Sequence, residues 1–96
     1  MSNLTTAFVG LGVMGYPMAG YLAKSGYPVS VFNRSGEKAE RWKKAFQGRV
    51  ARTPREAAEN ADLVFVCVGN DQDVRSVTYG EDGILAGLKA GAILVD

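Results

Sequence analysis

Histidine is absent from this sequence, and cysteine occurs once. Without histidine no Ser/His/Asp arrangement can form, and no Cys/His cluster offers metal-ligand spacing. The single cysteine, Cys67, cannot close an internal disulfide; it lies in an apolar run that reads as buried, and a reducing cytoplasm fits it best. Long hydrophobic runs are missing too. Nowhere do about 18 apolar residues follow one another, and Met1 to Thr6 carries no basic leader segment, so neither a signal peptide nor a membrane span is expected. Charge of one sign is equally lacking: 11 basic against 10 acidic side chains leave a net charge of +1. No basic stripe stands ready to neutralise a phosphate backbone, so nucleic acid is not an indicated partner.

What is present is an average globular composition, 47% hydrophobic and 22% charged, in 96 residues. That length leaves room for one core and one domain, residues 1–96. Thr5-Thr6-Ala7-Phe8-Val9 is a β-prone run that ends in a glycine cluster, as a buried strand feeding a tight turn would. Gly15, Met18, Ala19 and Leu22 then follow helical spacing, with Gly26 as a stop, which predicts a helix over about Met14 to Ser25.

Val29 to Phe32 reads as a second strand, and Glu37 to about Gln47 as an amphipathic helix with Ala39, Trp42 and Phe46 inward. Arg49 to Ala51 is a short third strand. Thr53-Pro54-Arg55-Glu56 after it is a capping-box pattern with proline at the first helical position. Leu63 to Val68 is six apolar residues without alternation, which predicts a mid-sheet strand covered on both faces. A helix around Asp71 to Thr78, a segment containing Gly83 and a fifth strand in Ala92 to Val95 complete the chain. Strands alternating with helices predict an α/β fold, a Rossmann-type doubly wound parallel sheet between two helix layers.

Gly10-Leu11-Gly12-Val13-Met14-Gly15 is G-x-G-x-x-G. Alone the pattern is weak in a chain with 12 glycines. Its context is what gives it meaning, because it stands between a strand and a helix, with a polar strand-end residue about 20 positions later. Gly10 permits the tight turn, Gly12 lets the backbone approach a pyrophosphate, and Gly15 lets the helix press on the first strand. The helix N-terminus offers the anion N–H groups and a partial positive charge.

The end of the second strand addresses the ribose. Folds selecting NAD usually carry an acidic residue there, whereas this chain has Asn33, Arg34 and Ser35. A carboxylate about 4 Å from a phosphate charge costs roughly 4 kcal/mol per unit charge near a surface, while an arginine offers it a planar, forked donor. This points to NADP, with NAD as second choice; the alternative is that Arg34 is one more solvated surface arginine.

Phe8-Val9-Gly10-Leu11-Gly12-Val13-Met14-Gly15-Tyr16-Pro17-Met18-Ala19 resembles the signature of the β-hydroxyacid dehydrogenases, the group that includes 3-hydroxyisobutyrate dehydrogenase. The likeness continues through Val31-Phe32-Asn33-Arg34-Ser35, Ala61 to Phe65, Gly83-Ile84-Leu85 and Gly91 to Asp96, and so covers essentially the whole chain. It implies that Gly10, Leu11, Gly12, Val13, Met14 and Gly15 cradle the pyrophosphate, with Met14 toward the nicotinamide. It also implies that Val68, Gly69 and Asn70 form the loop against the adenosine ribose. Gly69 stands where the family often has proline, and Tyr21 where many members carry asparagine or histidine, two departures from the pattern.

The resemblance further implies that the Ser/Thr-rich substrate loop and the catalytic lysine, which belongs to a separate all-α domain, lie outside these residues. No residue here is therefore assigned to catalysis or to a metal, and Lys24, Lys38, Lys43, Lys44 and Lys89 all fall on solvent faces or in a loop. The expected whole is an NAD(P)-dependent enzyme acting on a short 3-hydroxy acid or its semialdehyde, assembled as a homo-oligomer through the all-α domain. The 96-residue segment alone should not turn over. Imine reductase and 6-phosphogluconate dehydrogenase share this kind of cofactor domain, the latter commonly with alanine where Gly12 stands. A dinucleotide fold retained as a non-catalytic interaction module is the alternative from another class.

Overall fold

The computed structural model describes residues 4–67 and 71–95. Five strands form one parallel sheet in the order β3-β2-β1-β4-β5: β1 (Thr6–Val9), β2 (Val29–Phe32), β3 (Arg49–Val50), β4 (Leu63–Val66) and β5 (Ile93–Val95). The chain runs outward from β1 through α1 (Gly15–Lys24) to β2 and through α2 (Gly36–Phe46) to β3. It returns by α3 (Pro54–Ala58) to β4 on the other flank of β1, then passes α4 (Asp71–Thr78) and α5 (Ile84–Gly87) to β5. The direction of winding thus reverses between β1 and β4. The crevice at the carboxyl ends of those two strands is where such a sheet binds ligands.

Alternation along β1 divides the core. Phe8 joins Val29, Val31, Ala19, Ala39 and Trp42 beneath α1 and α2, while Ala7 and Val9 join Val64, Val66, Ala57, Ala58, Val77 and Ile84 beneath α3, α4 and α5. All four residues of β1 are buried, as a strand covered on both faces requires. Thr53 caps α3 as its sequence predicts, its hydroxyl accepting from the Glu56 N–H at 3.0 Å. The Glu56 carboxylate accepts from the N–H of Arg52, one residue before the cap, at 2.8 Å.

Two expectations change. The helix spacing puts Met18 inward, but α1 buries Gly15, Ala19 and Gly20, and Met18 is exposed. The three small residues let the helix lie close to its neighbours; at Gly20 even a Cβ would run into the Phe46 ring, so the helix turns this edge inward and Met18 out. The run Leu63 to Val68 was expected to be covered on both faces. The strand is Leu63–Val66, with Val64 and Val66 buried and Leu63 and Phe65 only half-buried. The reason is the placing of the helices: α1 rests on β1 and β2 and α2 on β2 and β3. Over β4 this layer is represented by the edge of α1, where Pro17, Met18 and Leu22 border Phe65. Phe65 is held there by stacking on Phe8, centroids 4.7 Å apart, while Ile93 and Val95, in register with Leu63 and Phe65, are exposed.

Candidate functional site

The glycine loop leaves the carboxyl end of β1 and enters α1. Gly10 has φ +99°, in the left-handed region that only glycine enters without strain, and this turns the chain out of the strand. Its N–H donates to the carbonyl of Phe32 at the end of β2, 2.7 Å away. Leu11 follows with its side chain buried and its N–H donating to Oδ1 of Asn33 at 2.8 Å. Val13 and Met14 then stand out into solvent, 90% and 68% exposed.

The two remaining glycines meet different neighbours. A Cβ on Gly12 would lie 3.4 Å from the Cys67 carbonyl oxygen, an ordinary contact, so the described residues tolerate a side chain there, and the glycine leaves the backbone bare on that side. A Cβ on Gly15 would be 2.8 Å from the Gly10 carbonyl oxygen and 3.0 Å from Cβ of Cys67. Gly15 is therefore required by the packing of α1 on the ends of β1 and β4. The packing of Gly15 is the tight helix seat expected of the motif's last glycine.

α1 is ten residues long, has no side-chain cap and carries no acid in its first turn. The leading N–H groups of a helix have no partner within the helix and carry a partial positive charge. In α1 the Tyr16 N–H donates to the Gly12 carbonyl at 3.1 Å, the Met18 N–H donates to the Met14 carbonyl at 3.2 Å, and Pro17 has no N–H, so this helix end offers an anion chiefly its partial positive charge. With no acid on α1 to oppose that charge and bare backbone at Gly12, the residues fit a dinucleotide. Cys67 forms the floor, its N–H donating to the Val9 carbonyl at 2.9 Å, and burial pushes its thiol pKa up.

At the end of β2, Arg34 and Ser35 are exposed where the chain enters α2, and Ser35 is the N-cap with its hydroxyl not used as a cap. Glu37 is acidic in the same first turn. Asn33, expected toward the ribose, has its oxygen on the Leu11 N–H, and its Nδ2 donates to the Ser35 carbonyl at 3.2 Å. Periodicity gives no sign of this link, because it joins residues 22 apart. Val68, Gly69 and Asn70, the remaining residues of the predicted site, lie outside the described residues. Lys89, one of the lysines set aside in the sequence, pairs with Asp62 at 2.8 Å, by the amino end of β4 and away from the crevice.

A parallel sheet in this order, with a glycine loop at its switch point running into an uncapped helix, defines the nicotinamide-dinucleotide-binding domain of an oxidoreductase. The chain belongs to the family described as the NAD binding domain of 6-phosphogluconate dehydrogenase, which matches residues 5–96. It is 58% identical over 90 residues to an uncharacterized oxidoreductase of Shewanella frigidimarina (strain NCIMB 400), covering 94% of this chain and 31% of that protein. With "Probable 3-hydroxyisobutyrate dehydrogenase-like 2, mitochondrial" of Arabidopsis thaliana the identity is 40% over 95 residues, 99% of this chain and 31% of the relative. Among solved structures, the imine reductase from Myxococcus stipitatus in complex with NADP+ superposes with a TM-score of 0.82 at 27% identity, over 94% of this chain and 30% of that one. The chain thus spans about 31% of the length of these curated relatives. Among the described residues no helix is long and apolar enough to cross a membrane.

Proposed function

We propose that the protein transfers a hydride between NADP(H) and a short 3-hydroxy acid or its semialdehyde, and that residues 1–96 hold and orient the cofactor. The observation that carries the cofactor choice is the set Asn33, Arg34 and Ser35 at the end of β2, beside the glycine loop and without a carboxylate among them. When bound, the dinucleotide supplies the ring that gives or takes the hydride. The chain's own part is binding. The positive end of α1 faces the diphosphate, Gly12 leaves room for it, exposed Met14 borders the nicotinamide side, and Arg34 and Ser35 receive the 2′-phosphate. On this reading Val68, Gly69 and Asn70 line the adenosine ribose, and proton transfer belongs to residues beyond the 96.

The reading of the substrate rests on the likeness to the Arabidopsis 3-hydroxyisobutyrate dehydrogenase-like protein. A second reading, reduction of an imine, is supported by the likeness to the NADP+-bound imine reductase. The lone Cys67 supports a reducing compartment such as the cytoplasm, and homo-oligomer formation stays part of the proposal.

Titration of NADP and NAD against the native chain and Arg34→Ala tests the cofactor assignment. A charge-assisted contact worth about 1.5–3 kcal/mol predicts a loss of roughly 10- to 150-fold for NADP and almost none for NAD. Equal losses for both would withdraw NADP.

A further inference from the structure

Asn33 has both ends of its amide engaged inside the protein. Oδ1 accepts the Leu11 N–H at 2.8 Å, and Nδ2 donates to the Ser35 carbonyl at 3.2 Å. Beside it, the Gly10 N–H donates to the Phe32 carbonyl at 2.7 Å, so the first two loop residues are pinned to the last residue of β2 and the one after it. The Ser35 carbonyl is also the first acceptor of α2, receiving the N–H groups of Lys38 and Ala39 at 3.2 and 3.4 Å. One side chain therefore joins the loop that meets a diphosphate to the turn that carries Arg34.

We propose that Asn33 is a positioning residue that sets the spacing between the glycine loop and the Arg34-Ser35 turn, acting on NADP and NAD alike through the backbone and not through a ribose hydroxyl. This rests on the cofactor-binding role proposed for the loop and the turn. The chemistry asks for an amide. The acceptor must take an N–H while the group attached to the same carbon gives one, and a carboxylate can do only the first. Aspartate would hold Leu11 but turn its second oxygen on the Ser35 carbonyl oxygen, setting two acceptors against each other. An acid at residue 33 is therefore expected to loosen the turn rather than to create a ribose site.

The test uses the full chain with Asn33→Ala and Asn33→Asp, read by amide hydrogen exchange without cofactor and by titration with NADP, NAD and adenosine 2′-monophosphate. That last probe reaches the Arg34-Ser35 turn but has no diphosphate. In Asn33→Ala the Leu11 amide should exchange faster, and NADP and NAD should weaken together by roughly tenfold. Adenosine 2′-monophosphate should change by less than about twofold, since it needs no fixed spacing between the two sites. In Asn33→Asp the Leu11 amide should stay protected, and NAD should gain nothing. A rise in NAD affinity in Asn33→Asp, a loss confined to NADP and adenosine 2′-monophosphate in Asn33→Ala, or unchanged Leu11 exchange in Asn33→Ala would each overturn the proposal. If Asn33→Ala does not fold, Asn33→Asp decides. The Arg34→Ala titration judges the NADP assignment separately, so failure of one reading is distinguishable from failure of the other.

Discussion

The space beside Gly15 is already taken by Cys67: a Cβ on the glycine would stand 3.0 Å from the cysteine Cβ and 3.2 Å from its Sγ. The Gly10 carbonyl oxygen crowds the same position, at 2.8 Å. One of these neighbours is backbone, so trimming the cysteine alone does not make room.

Gly15→Ala should therefore cost stability, about 1–3 kcal/mol as for other overpacked sites. For a domain of this size that is a fall of roughly 4–8 °C in Tm per kcal/mol. Gly12→Val should do the reverse, keeping the fold, since among the described residues its Cβ meets the Cys67 carbonyl at contact distance, while its branches fill the approach to the diphosphate. Circular dichroism melting beside calorimetric titration separates the two. A Gly12→Val chain that melts normally and still binds the dinucleotide contradicts the site.

Cys67 should be a slow thiol. It is half-buried, and burial raises its pKa above the ordinary 9.0 by disfavouring the thiolate, which is the reactive form. Iodoacetamide labelling followed by mass spectrometry at pH 8 should run several-fold slower than for cysteine in an unfolded control, and the gap should close on adding denaturant. Equal rates in the folded and unfolded chain would show the thiol to be open to solvent.

Asp62 ties the start of β4 to both neighbouring segments. Its Oδ2 accepts the Thr5 N–H at 2.9 Å, and its Oδ1 meets Lys89 Nζ at 2.8 Å. The hydrogen bond from Lys89, then that from Thr5, lowers its pKa from 3.8. A carboxylate with a depressed folded pKa contributes stability that is complete above its unfolded value and is lost as pH falls through the folded one. Urea midpoints of the native chain should therefore drop below about pH 4, and Asp62→Asn should lower the midpoint at pH 7 while flattening that acid limb. Parallel pH curves for the two chains would show that Asp62 does not carry the effect.

The order of elements was legible in the chain because each is signalled by its own residues. The glycine cluster after Phe8-Val9, the run Val29 to Phe32, the Ala39/Trp42 stripe and the Thr53-Pro54 cap all appear where they were expected, within a residue or two. The glycine motif was legible for the same reason, since a turn, a close approach and a tight helix seat each demand a missing side chain. Met18 and the run Leu63 to Val68 misled, because an apolar residue shows only that it can be buried and not which neighbour covers it. α1 turned its glycines inward instead, and the helices of one layer rest mainly on β1, β2 and β3, meeting β4 at the edge of α1.

Local signals, each read over a few residues, are enough to mark the chain as a glycine-loop α/β domain. That β1 lies between β2 and β4, that Gly15 is seated on Cys67, and that the Asn33 amide reaches Leu11 instead of pointing outward emerges from the folded arrangement. Each of these joins residues more than 20 positions apart. Such contacts depend on how the crossovers stack the strands, which no helical or strand period encodes.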